Sequence, residues 1–354
     1  MRMTRKELVI SQIEHIETTP VPYVLGFEEG CGIELKLDDY FGTSRWRAWL
    51  DNAVISLPVV SRKLVFDRRA EEWTDLYGSR WRPATHPSEP VEHALREPSL
   101  KGFSLPKVDE LIDGDWQDRA LRQIGNDRDH FHVALCNGHF ETMWLLRGFE
   151  NSLTDMVLHV LFMEELMEFL TDHFLQIVEK ELEIPVDGVM FSDDWGYQEG
   201  VIMGAERWRK LFKPHLARLY GAVHKAGRFV ITHCDGSIGD ILPDLIEIGL
   251  DVYQSVQPEA RNNSPYNLKR EYGRDITFWG GLGSQALIPF GTPREIKDEV
   301  RKLCHRMGEG GGYILGPSKE FQPETPVENA AAVVEAFLEQ SGRSPGSPTL
   351  RRGS

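Results

Sequence analysis

Short β-branched or aromatic runs alternate with amphipathic segments through the second half of the chain. Residues 186–192, 228–232, 250–254, 275–279 and 312–315 have the length and composition of buried strands. Between them, residues 207–226 place Trp208, Leu211, Phe212, Leu216, Leu219, Tyr220 and Val223 at the three-and-four spacing of one helical face. Residues 238–248, 292–307 and 326–338 follow the same rule. Thr292-Pro293-Arg294-Glu295 is a helix start, with a capping Thr, Pro in the first turn and Glu three residues on. Gly227 and Gly249 stand where helices should stop, just before a strand.

Strands alternating with helices predict right-handed βαβ units and a parallel sheet. No GxGxxG follows a strand, so no nucleotide cofactor is expected. With further strands at 21–26 and 131–136, and the remaining one at 63–66 or a nearby piece, the fold class is α/β. The expected architecture is a (β/α)8 TIM barrel with an N-terminal elaboration, one domain over residues 1–340. The first half is less regular: 73–82 reads as a hairpin around Gly78, and 105–124 as a polar-faced helix. Residues 341–354 carry no core-forming side chain beyond Leu350 and are expected to be a disordered tail.

A barrel of this kind builds its site at the carboxyl ends of the strands. The residues found there share one character. Glu28 and Glu29 follow the first strand, Asp193 and Asp194 the acidic one, and His233, Cys234 and Asp235 the next. Gln254 and Gln257, then Gln285, then Ser318 and Lys319 complete the set, with Gln198 just beyond Asp194. Adjacent residues leaving a strand point to opposite faces. One of Asp193 and Asp194 can therefore cap a helix while the other faces the pocket. By the same alternation Cys234 turns away from His233 and packs, and His233 beside Asp235 is the functional candidate. His130, His132 and His139 flank a strand, and one of them could line the pocket.

Charge narrows the field. Lys and Arg number 40 against 55 Asp and Glu, a formal net charge of 40 − 55 = −15, which repels nucleic-acid phosphates and anionic membranes alike. A small-molecule substrate is expected instead. With 41% hydrophobic and 27% charged residues the chain is an ordinary globular one. No apolar stretch is long enough for a signal peptide or a membrane span, so a cytoplasmic location is expected. Cys31, Cys136, Cys234 and Cys304 are scattered and read as free thiols.

At this point FSDDWGYQ (191–198), THCDGSIGDILPDLIEIGLDVYQSVQPEA (232–260), FWGGLGSQALIPFGTP (278–293) and GGGYILGPSKEFQPETPVENA (310–330) carry a resemblance. The chain resembles the uroporphyrinogen decarboxylase (URO-D) superfamily, which includes cobalamin-dependent methyltransferases acting on methylated corrinoid proteins. The first half matches in outline only, through VPYVLGFEEG (21–30) and the helix around Trp46. The resemblance implies a barrel, found as monomer or homodimer, and two possible chemistries.

Departures from the family pattern separate those chemistries. The N-terminal Arg-Gln-Ala-Gly-Arg motif of true uroporphyrinogen decarboxylases is absent, and Glu28-Glu29 would repel a substrate with eight carboxylates. The family's Gly-His pair falls near Ser318-Lys319, without the His. The methyltransferase branch implies a metal site in which His233 matches the histidine, Asp235 stands for the first cysteine, and Asp193 or Asp194 supplies the carboxylate. The later cysteine falls near Gly311-Gly312 and is missing. Such a set suits zinc weakly, or a harder divalent ion.

The expected function is metal-assisted methyl transfer between a methylated small substrate or corrinoid and a thiol or folate acceptor, with a corrinoid protein as partner. Asp193, Asp194 and His233 are the catalytic candidates, and His233, Asp235 and Asp194 the metal ligands. Glu28, Gln198, Gln254, Gln285, Ser318 and Lys319 would contact substrate. The alternatives are a metal-free decarboxylase, with Asp193 or Asp194 stabilising a cation and Lys319 holding a carboxylate, and a noncatalytic ligand-binding barrel.

Overall fold

The computed structural model describes residues 3–28, 30–58, 65–67, 71–82, 89–112 and 114–343. Glu29, Lys63, Leu64 and most of the expected tail lie outside that set. Seven strands form one parallel sheet in the order β1-β6-β7-β10-β11-β12-β13. They are β1 (Val54–Pro58), β6 (Phe131–Asn137), β7 (Gly188–Ser192), β10 (Phe229–His233), β11 (Val252–Val256), β12 (Thr277–Leu282) and β13 (Tyr313–Pro317). Four short strands, β2 (Val65–Asp67), β3 (Glu72–Thr74), β4 (Arg80–Arg82) and β5 (Glu89–Glu92), make an antiparallel sheet inserted after β1. Trp73 pairs with Trp81 there, as the hairpin around Gly78 predicts.

The alternation of side chains sorts the core into two. On the inner face, Val54, Phe131, Val133, Met190, Ile231, Val252, Trp279 and Ile314 form one buried cluster. Helix Arg5–Ile13 adds Val9 and Ile13 to it and packs against β1, β6 and β13. The outer face packs against the surrounding helices in a second, larger cluster. The layering leaves the carboxyl ends of the strands free for polar groups.

Several sequence expectations change. The first barrel-type strand after the N-terminal segment is β1 at 54–58, not 63–66, because Val65–Asp67 belongs to the antiparallel insert. Residues 21–27 do not form a strand. They meet the sheet through isolated parallel bridges, Tyr23 to Leu315 and Phe27 to Phe321. On the other side the Ala53 N–H donates to the Tyr23 carbonyl at 2.8 Å, and the Asn52 side chain bonds both polar backbone groups of Leu25. Pro20 and Pro22 lack the N–H that a regular ladder uses, which accounts for the broken pairing. Among the described residues the parallel sheet therefore has seven regular strands, not eight. The helix expected at 207–226 is two, Ala205–Leu211 and Lys213–Lys225, divided at Phe212 just ahead of Pro214. The one expected at 105–124 is likewise split into Val108–Leu111 and Trp116–Asn126. Gly227 and Gly249 do end their helices with φ of 69° and 97°, in the left-handed region that favours glycine. Thr292 and Glu295 form the reciprocal cap read from sequence.

One core residue carries an electrostatic cost. Glu181, near the end of helix Val160–Leu182, is fully buried and neither carboxyl oxygen has a partner among the described residues. Burial pushes it from 4.5 up to about 8. The acid stays neutral in the fold and ionises on unfolding, so its cost is absent below about pH 4.5 and grows as the pH rises toward 8. Glu181→Gln is expected to flatten the loss of stability over this window by up to ~1.4 kcal/mol per pH unit. Urea unfolding of both proteins across that range checks it, and parallel slopes would refute it.

Candidate functional site

Strand register brings the site together. In the sheet Asn137 lies beside Ser192, Ser192 beside His233, and His233 beside Gln254, so β6, β7 and β10 end at one level, which β11 passes at Gln254. Neighbouring strands are about 4.8 Å apart, and polar residues at that level converge without any long loop. The residue after β7 is Asp193, which is fully buried. Its carboxylate accepts the Phe140 N–H at 3.0 Å and the Glu141 N–H at 2.8 Å. These are the second and third residues of helix His139–Arg147, whose N-cap, Gly138, has no side chain to offer. Asp193 thus supplies the cap from the neighbouring strand. The capped helix is the one after β6; after β7 the chain instead makes the hairpin β8 (Gly196–Tyr197) and β9 (Gly200–Val201). A Cβ on Gly138 would lie 2.2 Å from the Asp193 Cβ and 2.5 Å from the Ser192 carbonyl oxygen. Burial pushes Asp193 up to about 7, against the pull of its two amide donors.

Asp194 points the other way and is partly exposed. Its Oδ1 accepts the Asp235 N–H at 2.8 Å and lies 3.7 Å from His233 Nε2. The opposite ring nitrogen, Nδ1, is in a short hydrogen bond with Gln254 Oε1. An amide oxygen only accepts, so Nδ1 carries a hydrogen and the ring turns Nε2 toward Asp194. Asp194, His233 and Asp235 each bring a donor atom within 4.8 Å of the others. Burial pushes Asp235 up, with Asp194 adding to the effect and His233 and Lys319 opposing it.

The other sequence candidates occupy the rim or the framework. Gln198 and Gln285 are exposed, the latter with its backbone N–H on Glu259 at 3.0 Å. Gln257 is buried and holds the Gly236 N–H at 2.9 Å. Ser318 is buried; its carbonyl accepts the Ser255 hydroxyl and its own hydroxyl accepts the Ser284 N–H at 3.1 Å. Lys319 is exposed, with its charge felt by Asp235 and Glu320. Glu28 Oε2 is buried without a partner among the described residues. Cys234 packs in the core, its thiol donating to the Asp235 carbonyl, and burial pushes that thiol well up. His130 pairs with Asp51 and Asp127, and His139 with Thr171, outside the triad.

One residue escaped the sequence reading. Glu141, in the first turn of the Asp193-capped helix, feels the charges of Asp193, Asp194, His233 and Asp235. Burial, and then the three aspartates, push it up to about 8, opposed by His233. The sequence signal was available: Glu141 stands four residues beyond the carboxyl end of β6, at the same end of the sheet as Asp194 and Asp235, which follow their strands by two. Gly138→Ala tests the Asp193 cap directly. Overpacking plus loss of two buried hydrogen bonds is expected to cost about 2–4 kcal/mol in urea unfolding, and a variant as stable as the parent would refute the assignment.

Comparison with known proteins places this geometry. The family model described as uroporphyrinogen decarboxylase (URO-D) matches residues 132–340, a stretch running from β6 to the last helix and containing Asp193, Asp194, His233 and Asp235. A uroporphyrinogen decarboxylase of Thermus thermophilus is 30% identical over 175 residues, 49% of this chain and 48% of that protein. That of Methylococcus capsulatus is 26% identical over 182 residues, 51% and 49% of the two chains. The chain thus spans about half the length of the curated relatives it matches. Among solved structures, a methyltransferase from Methanosarcina mazei shares the fold with a TM-score of 0.71, at 18% identity, over 96% of this chain and 99% of that one. Because the family model covers well over half of the 354 residues, the chain belongs to the uroporphyrinogen decarboxylase (URO-D) family.

Proposed function

We propose that this protein is a barrel enzyme of the methyltransferase-like kind, with residues 21–27 taking the eighth strand position between β13 and β1. It would move a methyl group between a methylated small substrate or a corrinoid, carried by a partner corrinoid protein, and a thiol or folate-type acceptor. The observation that carries the reading is the donor set: Asp194, His233 and Asp235 converge, and Gln254 fixes the imidazole with Nε2 facing the two carboxylates. One nitrogen and carboxylate oxygens, with no thiolate near, fit a borderline or hard divalent cation better than a thiolate-rich zinc site would. When bound, such a cation supplies Lewis acidity that lowers the pKa of a thiol or water-like acceptor.

The protein's own groups do the rest. Gln254 holds the His233 ring oriented through Nδ1, as partners of metal-binding histidines commonly do. Asp193 fixes the first turn of helix His139–Arg147 at the edge of the site. Gln198, Gln285, Lys319 and Glu28 would surround the opening and orient substrate, with the buried Ser318 supporting them through its bonds to Ser255 and Ser284. An opening flanked by this many carboxylates favours a neutral or cationic methylated substrate.

A decarboxylase is the second reading, favoured by the names of the curated relatives and by the cationic Lys319 beside Asp235. In it Asp194, the aspartate that is not engaged in capping, would stabilise a protonated intermediate.

Two measurements separate these readings. After loading and desalting, the wild type is expected to retain about one divalent ion per chain by metal analysis, and His233→Ala far less. A wild type without stoichiometric ion overturns the metal-site reading. With methylcobalamin and a thiol acceptor, methyl transfer should fall at least ~100-fold in His233→Ala, the scale set by losing a Lewis-acid centre. Release of CO₂ from uroporphyrinogen that is lost in Asp194→Asn, with no methyl transfer, would establish the decarboxylase instead.

A further inference from the structure

The helix that precedes β7 is longer than the sheet requires. Val160–Leu182 has 23 residues and runs about 34 Å, whereas the five residues of β7 span roughly 17 Å. Thr171, halfway along it, is hydrogen-bonded to His139 Nε2 at 2.9 Å, and His139 opens the helix that follows β6. The midpoint therefore lies at the level where the strands end. From there the helix rises about 16 Å to Val160, beyond the carboxyl ends of the sheet. Helix Phe149–Leu158 meets this raised end at His159. The joint stands on the β6 side of the opening, next to the helix whose first turn Asp193 holds.

Its outer surface is apolar. Val157, Leu158, Val160 and Leu161 are 57%, 69%, 48% and 81% exposed, and Phe149, at the start of the shorter helix, is 45% exposed. A single exposed leucine is ordinary, but four apolar side chains in five consecutive exposed positions form a contiguous patch of the kind that serves recognition. The charges beside it have one sign. Glu150, Glu164 and Glu165 are exposed and without an ion pair among the described residues. Arg147, at the end of the preceding helix, is buried against Asp155 and does not offset them.

We propose that this joint, residues 157–161, is the docking surface for the protein that carries the methylated corrinoid, a partner whose contact face is apolar at its centre and ringed by lysine and arginine. The inference rests on the methyl-transfer reading and gives that partner a seat and a surface chemistry. Two observations select this occupant. A carrier must lower a bulky bound group into the opening, and the joint rises beside that opening. A second copy of the chain would set Glu150, Glu164 and Glu165 against acidic groups of its own kind, whereas a basic face meets them with opposite charge.

The test compares two methyl donors with the full chain: free methylcobalamin, which needs no docking, and a methylated corrinoid protein. One variant carries Leu158→Glu with Leu161→Glu, the other Glu164→Lys with Glu165→Lys, and thermal unfolding verifies that each is folded. With methylcobalamin both variants are expected to keep the wild-type rate. With the corrinoid protein, KM should rise at least ~10-fold in the leucine variant, the scale of losing an interface hot spot. The lysine variant should raise KM as well, and should lose the increase of KM with salt that screening produces in the wild type. Unchanged KM for the corrinoid protein in both variants, or a wild type that uses methylcobalamin alone, overturns the docking surface and leaves the methyl-transfer reading standing. A wild type that transfers from neither donor overturns that reading and this one with it. Sedimentation that finds a wild-type dimer, converted to monomer in the leucine variant, assigns the patch to a second copy and overturns the carrier. If the leucine variant is unfolded, the lysine variant decides the matter alone.

Discussion

A carboxylate taken out of water is tolerated only where hydrogen bonds replace the lost solvation. Asp193 meets that condition with the amides of Phe140 and Glu141, and the two bonds tie the end of β7 to the helix that follows β6. The rest of the site's geometry follows from the tie. It requires a glycine at 138, because any Cβ would occupy the space of the Asp193 side chain. It consumes one member of the Asp193-Asp194 pair and, through strand alternation, turns the other toward His233. It also places Glu141 at the site's edge.

Fixing these groups concentrates negative charge. Two unit charges about 5 Å apart at an effective dielectric near 20 repel by roughly 3 kcal/mol. Asp193, Asp235 and Glu141 are all pushed upward, first by burial, with Asp194 adding to each. Protons relieve such a cluster when nothing else is present, and a divalent cation would relieve it more completely. The net −15 of the chain is thus partly a local property of one end of the sheet, and it bears on the substrate. A molecule bearing many carboxylates would meet this opening with little to neutralise it beyond Lys319.

Much of this was legible in the sequence, and where it was not the reasons are physical. The strands β6, β7, β10, β11, β12 and β13 carry β-branched runs with glycine or polar punctuation, so their places were readable to within a few residues. β1, with the sequence VISLP, is equally apolar but short and followed by the insert, and the pattern gave no reason to prefer it over 63–66. The broken pairing of residues 21–27 depends on Pro20 and Pro22, whose missing donors matter only once the neighbouring strands are known. Position placed His233, Asp235 and Asp194 at one end of the sheet, since strand ends converge in this architecture, and the family resemblance singled them out as a set. What position could not reveal was partnership. That Asp193 caps a helix 53 residues away, or that Gln254 bonds His233 rather than standing free, depends on the register between strands.

That register also bears on how a histidine with carboxylates would serve under the proposed reading, where a thiolate set would be the alternative. A thiolate binds a soft ion through the polarisability of sulfur and needs little help in orientation, whereas imidazole and carboxylate donors depend on being aimed. Here two of the three are aimed by a neighbour: Gln254 orients the His233 ring, and the Asp235 N–H holds Asp194. The cysteine nearest the site, Cys234, meanwhile lies on the opposite face of the strand end and fills the core. Moving it into the site would require shifting β10 by one residue, which would also turn Ile231 away from the inner cluster. The core and the chemistry of the site are therefore set by a single choice of register.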